Sequence, residues 1–178
     1  QAMQNYVIMG NKFFEPNNNT LYMSEFDEFG QFNSWHRVHT TTETMQTFWK
    51  SFCKSSYPVG YFAAVQIGGN RVYTILTNAT GHKMWDRISS NPSNIQFGGA
   101  CQATNGGYLA CGSNNSGQLA VTKFDAYGVA EWTKEYNVSG FGWSIKQANG
   151  GGYVVAGTRS VIRIDVNGDL DWTRTINL

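Results

Sequence analysis

An all-β fold of repeated four-stranded antiparallel sheets is predicted by three observations. A turn phrase, Asx-x-x-Gly leading to Trp, occurs four times in the 178 residues: Asp27-Glu28-Phe29-Gly30 to Trp35, Asn78-Ala79-Thr80-Gly81 to Trp85, Asp125-Ala126-Tyr127-Gly128 to Trp132, and Asp165-Val166-Asn167-Gly168 to Trp172. A second phrase ending in Tyr precedes each one, at Tyr6, Tyr61, Tyr108 and Tyr153. No segment carries sustained helical periodicity. Four short strands per roughly 40–50 residues is the period of a β-propeller blade, so the chain reads as about four blades of a β-propeller.

The turn phrase has a mechanical basis. A type I turn favours Asp or Asn at its first position and Gly at its fourth. Trp follows that Gly at even spacing in the last three repeats, so Trp85, Trp132 and Trp172 are expected on equivalent faces of equivalent strands. The Tyr phrase opens an apolar strand closed by Gly in Tyr6-Val7-Ile8-Met9-Gly10, Tyr108-Leu109-Ala110-Cys111-Gly112 and Tyr153-Val154-Val155-Ala156-Gly157; the second repeat, from Tyr61, lacks the closing Gly. Asn105-Gly106 and Asn149-Gly150 are hairpin signals that join each of the last two Tyr strands to a partner upstream. The last blade then reads as strands at about 143–148, 153–156, 160–164 and 170–176. The whole chain, 1–178, reads as one propeller segment with blades at about 5–39, 47–88, 96–136 and 143–176.

Gly151 to Gly157, then Ile162-Arg163-Ile164-Asp165-Val166-Asn167-Gly168, then Trp172-Thr173-Arg174-Thr175, resembles the tandem propeller repeats of secreted bacterial surface proteins, common in Bacteroidetes-type bacteria. The resemblance is good over 97–178, fair over 6–39 and poor over 40–81. It implies an extracellular or cell-surface address and a scaffold or adhesion role. It carries no catalytic signature.

The first blade begins at its second strand, so it is expected to lack its inner strand. Three explanations stand open: the chain is a segment of a ring of six to eight blades, a second copy or another chain completes the ring, or the ring is four-bladed with a three-stranded first blade. An unpaired strand edge is a template for association, so the expected partner is a protein, or further blades of the same polypeptide.

Composition excludes some classes. Charged residues make up 14% and the net charge is +1, with Lys and Arg scattered singly. Nucleic-acid binding needs cations gathered on one face, so that class is set aside. The chain has no apolar run long enough for a transmembrane helix, so no membrane span is expected. Cys53, Cys101 and Cys111 lack zinc spacing. Cys101 and Cys111 flank the Asn105-Gly106 turn and are candidates either for a disulfide or for buried thiols.

Asp165, Asn167, Asp169 and Asp171 alternate like the start of a calcium loop, but the equivalent Asp125 repeat loses the middle ligands and no Glu stands at the twelfth position. Turn chemistry is the preferred explanation, and no metal or cofactor is expected. The four recurrent Trp are expected in the core. Trp49 and Trp143 lie outside the turn phrase, near the starts of inner strands, and are the ligand candidates. His36, His39 and His82 form no catalytic motif, so no catalytic residue is assigned. The function expected is a non-enzymatic extracellular structural or adhesion module that binds protein or glycan. A carbohydrate-active propeller, lectin or polysaccharide-degrading enzyme, is the alternative.

Overall fold

The computed structural model describes residues 6–15, 18–26, 29, 31–41, 45–46, 51–68 and 70–176. Among them, the strands form four antiparallel sheets in chain order. The first is β1 (Tyr6–Glu15), β2 (Asn18–Phe26) and β3 (Phe32–Thr41). The second joins β6 (Val59–Ile67), β7 (Arg71–Asn78) and β8 (Lys83–Ser90) to an inner edge made of two pieces, β4 (Met45–Gln46) and β5 (Phe52–Ser56). The third is β9 (Gln96–Gln102), β10 (Tyr108–Ser113), β11 (Gln118–Phe124) and β12 (Ala130–Ser139). The fourth is β13 (Gly142–Gln147), β14 (Tyr153–Gly157), β15 (Ser160–Ile164) and β16 (Leu170–Thr175). Each is a meander, the form of a propeller blade. Three sheets have an inner edge, and the first has three described strands, as its sequence predicts.

The second blade departs from the others at its inner edge. β4 pairs with the end of β6 at Ile67 and Gln66, while β5 pairs with its beginning, from Val59 to Ala63. The two pieces share one edge of β6, so the inner strand is interrupted rather than missing.

Alternation along the strands buries both faces of the middle blades. In β10, Tyr108 and Ala110 pack toward the second blade with Phe62, Leu76, Phe97 and Phe124. Leu109 and Cys111 point the other way and pack on Ile145, Tyr153, Val155 and Ile162 of the fourth blade. A third core, with Met23, Val65, Tyr73 and Ile75, joins the first and second blades. The Tyr108 ring stacks on Phe62 at 4.0 Å, nearly parallel, and its hydroxyl meets Ser55 Oγ at 2.9 Å. The Tyr phrase thus supplies a large apolar body with a satisfied polar tip, which lets it sit fully buried.

The turn phrase folds the same way in each described repeat. The carboxylate of Asp165 accepts the backbone N–H groups of Asn167 and Asp169, at 2.8 and 2.7 Å. Asp125 accepts those of Tyr127 and Val129, and the Asn78 side-chain oxygen accepts those of Thr80 and His82. Gly81, Gly128 and Gly168 take φ of +83°, +79° and +83°, the left-handed region that closes a three-residue hairpin loop with a bulge. The Asn105-Gly106 hairpin follows the same rule: Gly106 has φ +84° and donates to the Ala103 carbonyl, so the loop is three residues rather than the tight two-residue form that Asn-Gly suggests.

These turns also join blade to blade. An added Cβ on Gly128 would lie 2.6 Å from the Trp85 ring, and one on Gly168 would lie 2.6 Å from the Trp132 ring. Thr74 donates to the Gly128 carbonyl at 3.1 Å and Arg87 to the Tyr127 carbonyl at 3.0 Å. One blade later, Tyr136 donates to the Gly168 carbonyl at 2.8 Å and Lys134 meets Asp169 at 2.6 Å. Trp85 and Trp132 are therefore each a platform for the glycine turn of the following blade.

That arrangement corrects one expectation. Trp85 and Trp132 are partly buried against the interblade cores, but Trp172 is 37% exposed. What covers the first two is the following blade's turn, and among the described residues nothing of that kind reaches Trp172. The Trp35 side chain lies outside those described. Of the two readings left open for Cys101 and Cys111, the buried thiols hold: both are free and buried. Cys101 pairs with Leu109 and Cys111 with Gly99, so the two are diagonal rather than opposite. Diagonal neighbours stand about 7–8 Å apart, beyond the reach of a disulfide.

Candidate functional site

The inner strands β5, β9 and β13 converge around one cavity of about 230 Å³. Its lining is Phe52 from β5, Gly99 and Ala100 from β9, and Trp143, Ser144 and Lys146 from β13. Convergence depends on Gly98 and Gly99. A Cβ at Gly98 would lie 2.1 Å from the Phe141 ring, and one at Gly99 would lie 2.8 Å from the Trp143 carbonyl oxygen. Only the bare backbone lets β9 come this close to β13 and the residue before it.

Trp143 is held in place from behind. Its indole Nε1–H donates to Thr158 Oγ1 at 3.2 Å, and its ring meets that of Phe141 at 4.4 Å between centroids. The same Thr158 hydroxyl oxygen accepts the Phe141 N–H at 3.1 Å. The indole remains 41% exposed. An aromatic side chain already held in place costs little further ordering when a ring-shaped ligand stacks on it.

Lys146 supplies the charge. It is exposed, and among the described residues no carboxylate pairs with it. Its ammonium stands close enough to act on two thiols. Burial pushes the Cys101 thiol up to about 12, while the Lys146 charge pulls the other way. Burial likewise raises Cys53, again opposed by Lys146. These thiols stay protonated at neutral pH and are not nucleophiles. The cavity therefore offers two aromatic side chains, one cation, one hydroxyl and close backbone.

Of the two ligand candidates read from the sequence, Trp143 lines this cavity and Trp49 lies outside the described residues. The weak calcium set is dispersed into other tasks. Asp165 is spent on its turn, Asp169 pairs with Lys134, and Asp171 pairs with Arg163 at 3.1 Å. Backbone hydrogen bonds from Asp169 and Asn167 hold the Asp165 carboxyl below the usual carboxylate range, as a capped turn requires. Among the described residues, no group of three metal-ligating side chains gathers.

Sequence reasoning missed Phe52 and Lys146. A signal existed for the second: counted back from the repeated Tyr, Lys146 occupies the place held by Cys101 one repeat earlier. A charge that replaces a small apolar residue on an inner strand marks a departure from the repeat. A second missed signal is a cation two residues after each recurrent Trp: Arg37, Arg87, Lys134 and Arg174.

No family model matches the chain, and no curated protein sequence matches it. Solved structures do resemble it. A protein of unknown function from Bacteroides caccae superposes with a TM-score of 0.60 at 12% identity, over 99% of this chain and 59% of that one. The WD40 domain of Pan2 from Neurospora crassa gives 0.59 at 13% identity, over 94% of this chain and 49% of that one. Virginiamycin B lyase from Staphylococcus aureus gives 0.52 at 12% identity, over 94% and 58%. The chain thus spans about half to three fifths of these three structures. At these identities the likeness establishes a β-propeller-like fold and nothing about activity.

Proposed function

We propose that the chain is a non-enzymatic adhesion module, secreted or displayed at a cell surface, that holds an acidic glycan between its inner strands. The observation that carries this reading is Trp143: an exposed indole, clamped by Thr158 and Phe141, facing a cavity shared with Lys146. A sugar ring stacks its C–H face on an aromatic surface, and a carboxylate on that ring is matched by the ammonium. At about 230 Å³ the cavity is smaller than the roughly 300–1,000 Å³ typical of drug-sized ligands, which suits one sugar unit. The lining presents a cation and aromatic faces, the equipment of recognition; glycoside hydrolysis instead requires two facing carboxyl groups.

The extracellular setting is supported by the resemblance of the repeats to those of secreted bacterial surface proteins. The low charge content of 14% agrees with it.

The test is a glycan panel that contains uronate-bearing and neutral oligosaccharides. Retention of the uronate-bearing members is expected, with loss of retention in Trp143→Ala and a weakened signal in Lys146→Gln. Equal retention of all glycans by Trp143→Ala, or release of cleaved oligosaccharide by the wild type, would contradict the reading.

A further inference from the structure

The outer face of the fourth blade repeats a surface that is already filled twice within the chain. In the third blade that face carries Leu109, Cys111 and Val121, all fully buried by the fourth blade. Counted from the repeated Tyr and Asp, the matching residues of the fourth blade are Val154, Ala156 and Val161. Val154 and Val161 are half-buried and Ala156 is exposed. The outer strands differ in the same way. Tyr136, which grips the Gly168 carbonyl, is 5% exposed, and its counterpart Ile176 is 42% exposed.

The cations show what the surface is built to receive. Arg87 reaches across to the Tyr127 carbonyl in the next blade's turn, and Lys134 reaches across to Asp169. Arg174 holds the same place in the fourth blade. It lies over the Trp172 ring at 5.8 Å and, among the described residues, hydrogen-bonds only to the adjacent Thr173 carbonyl. Trp172 and Arg174 thus form an aromatic seat and a donor on which, among the described residues, no turn is in place.

We infer that this face is a docking socket for one further blade of the same repeat type, recognised through an Asx-x-x-Gly hairpin turn. The glycine is the specific element. Trp85 and Trp132 each admit a turn whose glycine leaves no room for a Cβ, and Trp172 presents the same ring at the same repeat position. The turn carbonyl or an acidic side chain beside it answers Arg174, as Tyr127 and Asp169 answer Arg87 and Lys134. The solved propellers on which the chain superposes extend well beyond it, which favours a further blade over a second copy as occupant. The socket uses none of the residues that line the cavity at Trp143, so its test and that of glycan binding fail independently.

The test supplies the missing turn in trans. The probe is a hairpin peptide with the sequence of residues 119–136, closed by a terminal disulfide, titrated into the intact chain and followed by indole N–H signals in NMR. The Trp172 signal is expected to move. Arg174→Glu is expected to weaken binding about tenfold, the scale of one charge-assisted hydrogen bond, and the peptide with Gly128→Ala is expected not to bind. Arg174 and Trp172 are exposed, so their variants retain the fold, which the dispersion of the remaining signals verifies. An unmoved Trp172 signal would overturn the proposal, as would equal binding of the Gly128→Ala peptide. Dimerisation of the chain alone, abolished by Trp172→Ala in sedimentation, would assign the socket to a second copy and overturn it as well.

Discussion

Alanine at Gly128 and alanine at Gly106 form a matched pair that measures the interblade lock. Both glycines have left-handed backbone, with φ of +79° and +84°. An L-residue there costs roughly 1–2 kcal/mol in strain. Around Gly106 an added Cβ meets nothing within 4 Å, so strain is the whole cost. At Gly128 the same Cβ lies 2.6 Å from both the Trp85 ring and Thr74 Oγ1. Moving a packed ring to relieve such overlap adds roughly 1–3 kcal/mol. Gly106→Ala is therefore expected to lose about 1–2 kcal/mol in urea unfolding, and Gly128→Ala about 2–5 kcal/mol. A third variant closes the argument. In a Trp85→Ala background the ring is gone and only the Thr74 contact and the strain remain, so Gly128→Ala should cost less than in the wild type, a coupling that a double-mutant cycle reads directly. Equal losses for Gly106→Ala and Gly128→Ala, or no coupling to Trp85, would refute the claim that the Gly128 turn is seated on the preceding blade's Trp.

Asp165 gives a pH signature. Backbone hydrogen bonds from Asp169 and Asn167 lower its folded pKa, so its contribution is complete above the unfolded value of about 3.9 and is lost as pH falls through the lowered folded value. Asp165→Asn is expected to flatten the acid limb of stability measured by urea titration below about pH 4; an unchanged limb contradicts the turn assignment. Cys101 and Cys111 are free and buried, with Cys101 raised to about 12, so in native protein at pH 8 these two thiols should react with a thiol reagent only on the timescale of unfolding. Rapid labelling of Cys101 or Cys111 would show that the interblade core opens. Tyr108→Phe removes the contact with Ser55 but keeps the stack on Phe62, and Ser55 retains a donor in Gln102. The expected loss in urea unfolding is therefore only about 1 kcal/mol, and a loss above roughly 3 kcal/mol would mean that the ring itself had moved.

The parts of the fold that depend on local chemistry were legible in the chain. A turn that needs a left-handed fourth residue and an Asx acceptor announces itself, so Asp125 to Gly128 and Asp165 to Gly168 placed the outer hairpins. The Tyr strands were legible because burial on both faces leaves a continuous apolar run, as in Tyr108 to Cys111. What depends on the neighbouring blade was not legible. Trp85 and Trp172 occupy the same place in their repeats, yet one is covered by a turn 40-odd residues downstream in the sequence and the other is open. The split inner edge of the second blade was hidden for the same reason: β4 and β5 are defined by their pairing with β6, not by their own periodicity. At the candidate site, Trp143 stood out as a Trp outside the phrase. Phe52 and Lys146 join it only through the convergence of three inner strands, which the glycines at 98 and 99 permit.

The central claim is that Trp143 and Lys146 hold an acidic sugar between the inner strands. Its most direct measurement is a titration of the intact chain with glucuronate, and separately with glucose, followed by the indole N–H signals. The account expects the Trp143 signal to shift with glucuronate, the shift to weaken in Lys146→Gln and as salt is raised, and glucose to produce a smaller change. A Trp143 signal unmoved by glucuronate, or moved equally by both sugars in wild type and Lys146→Gln, would contradict it.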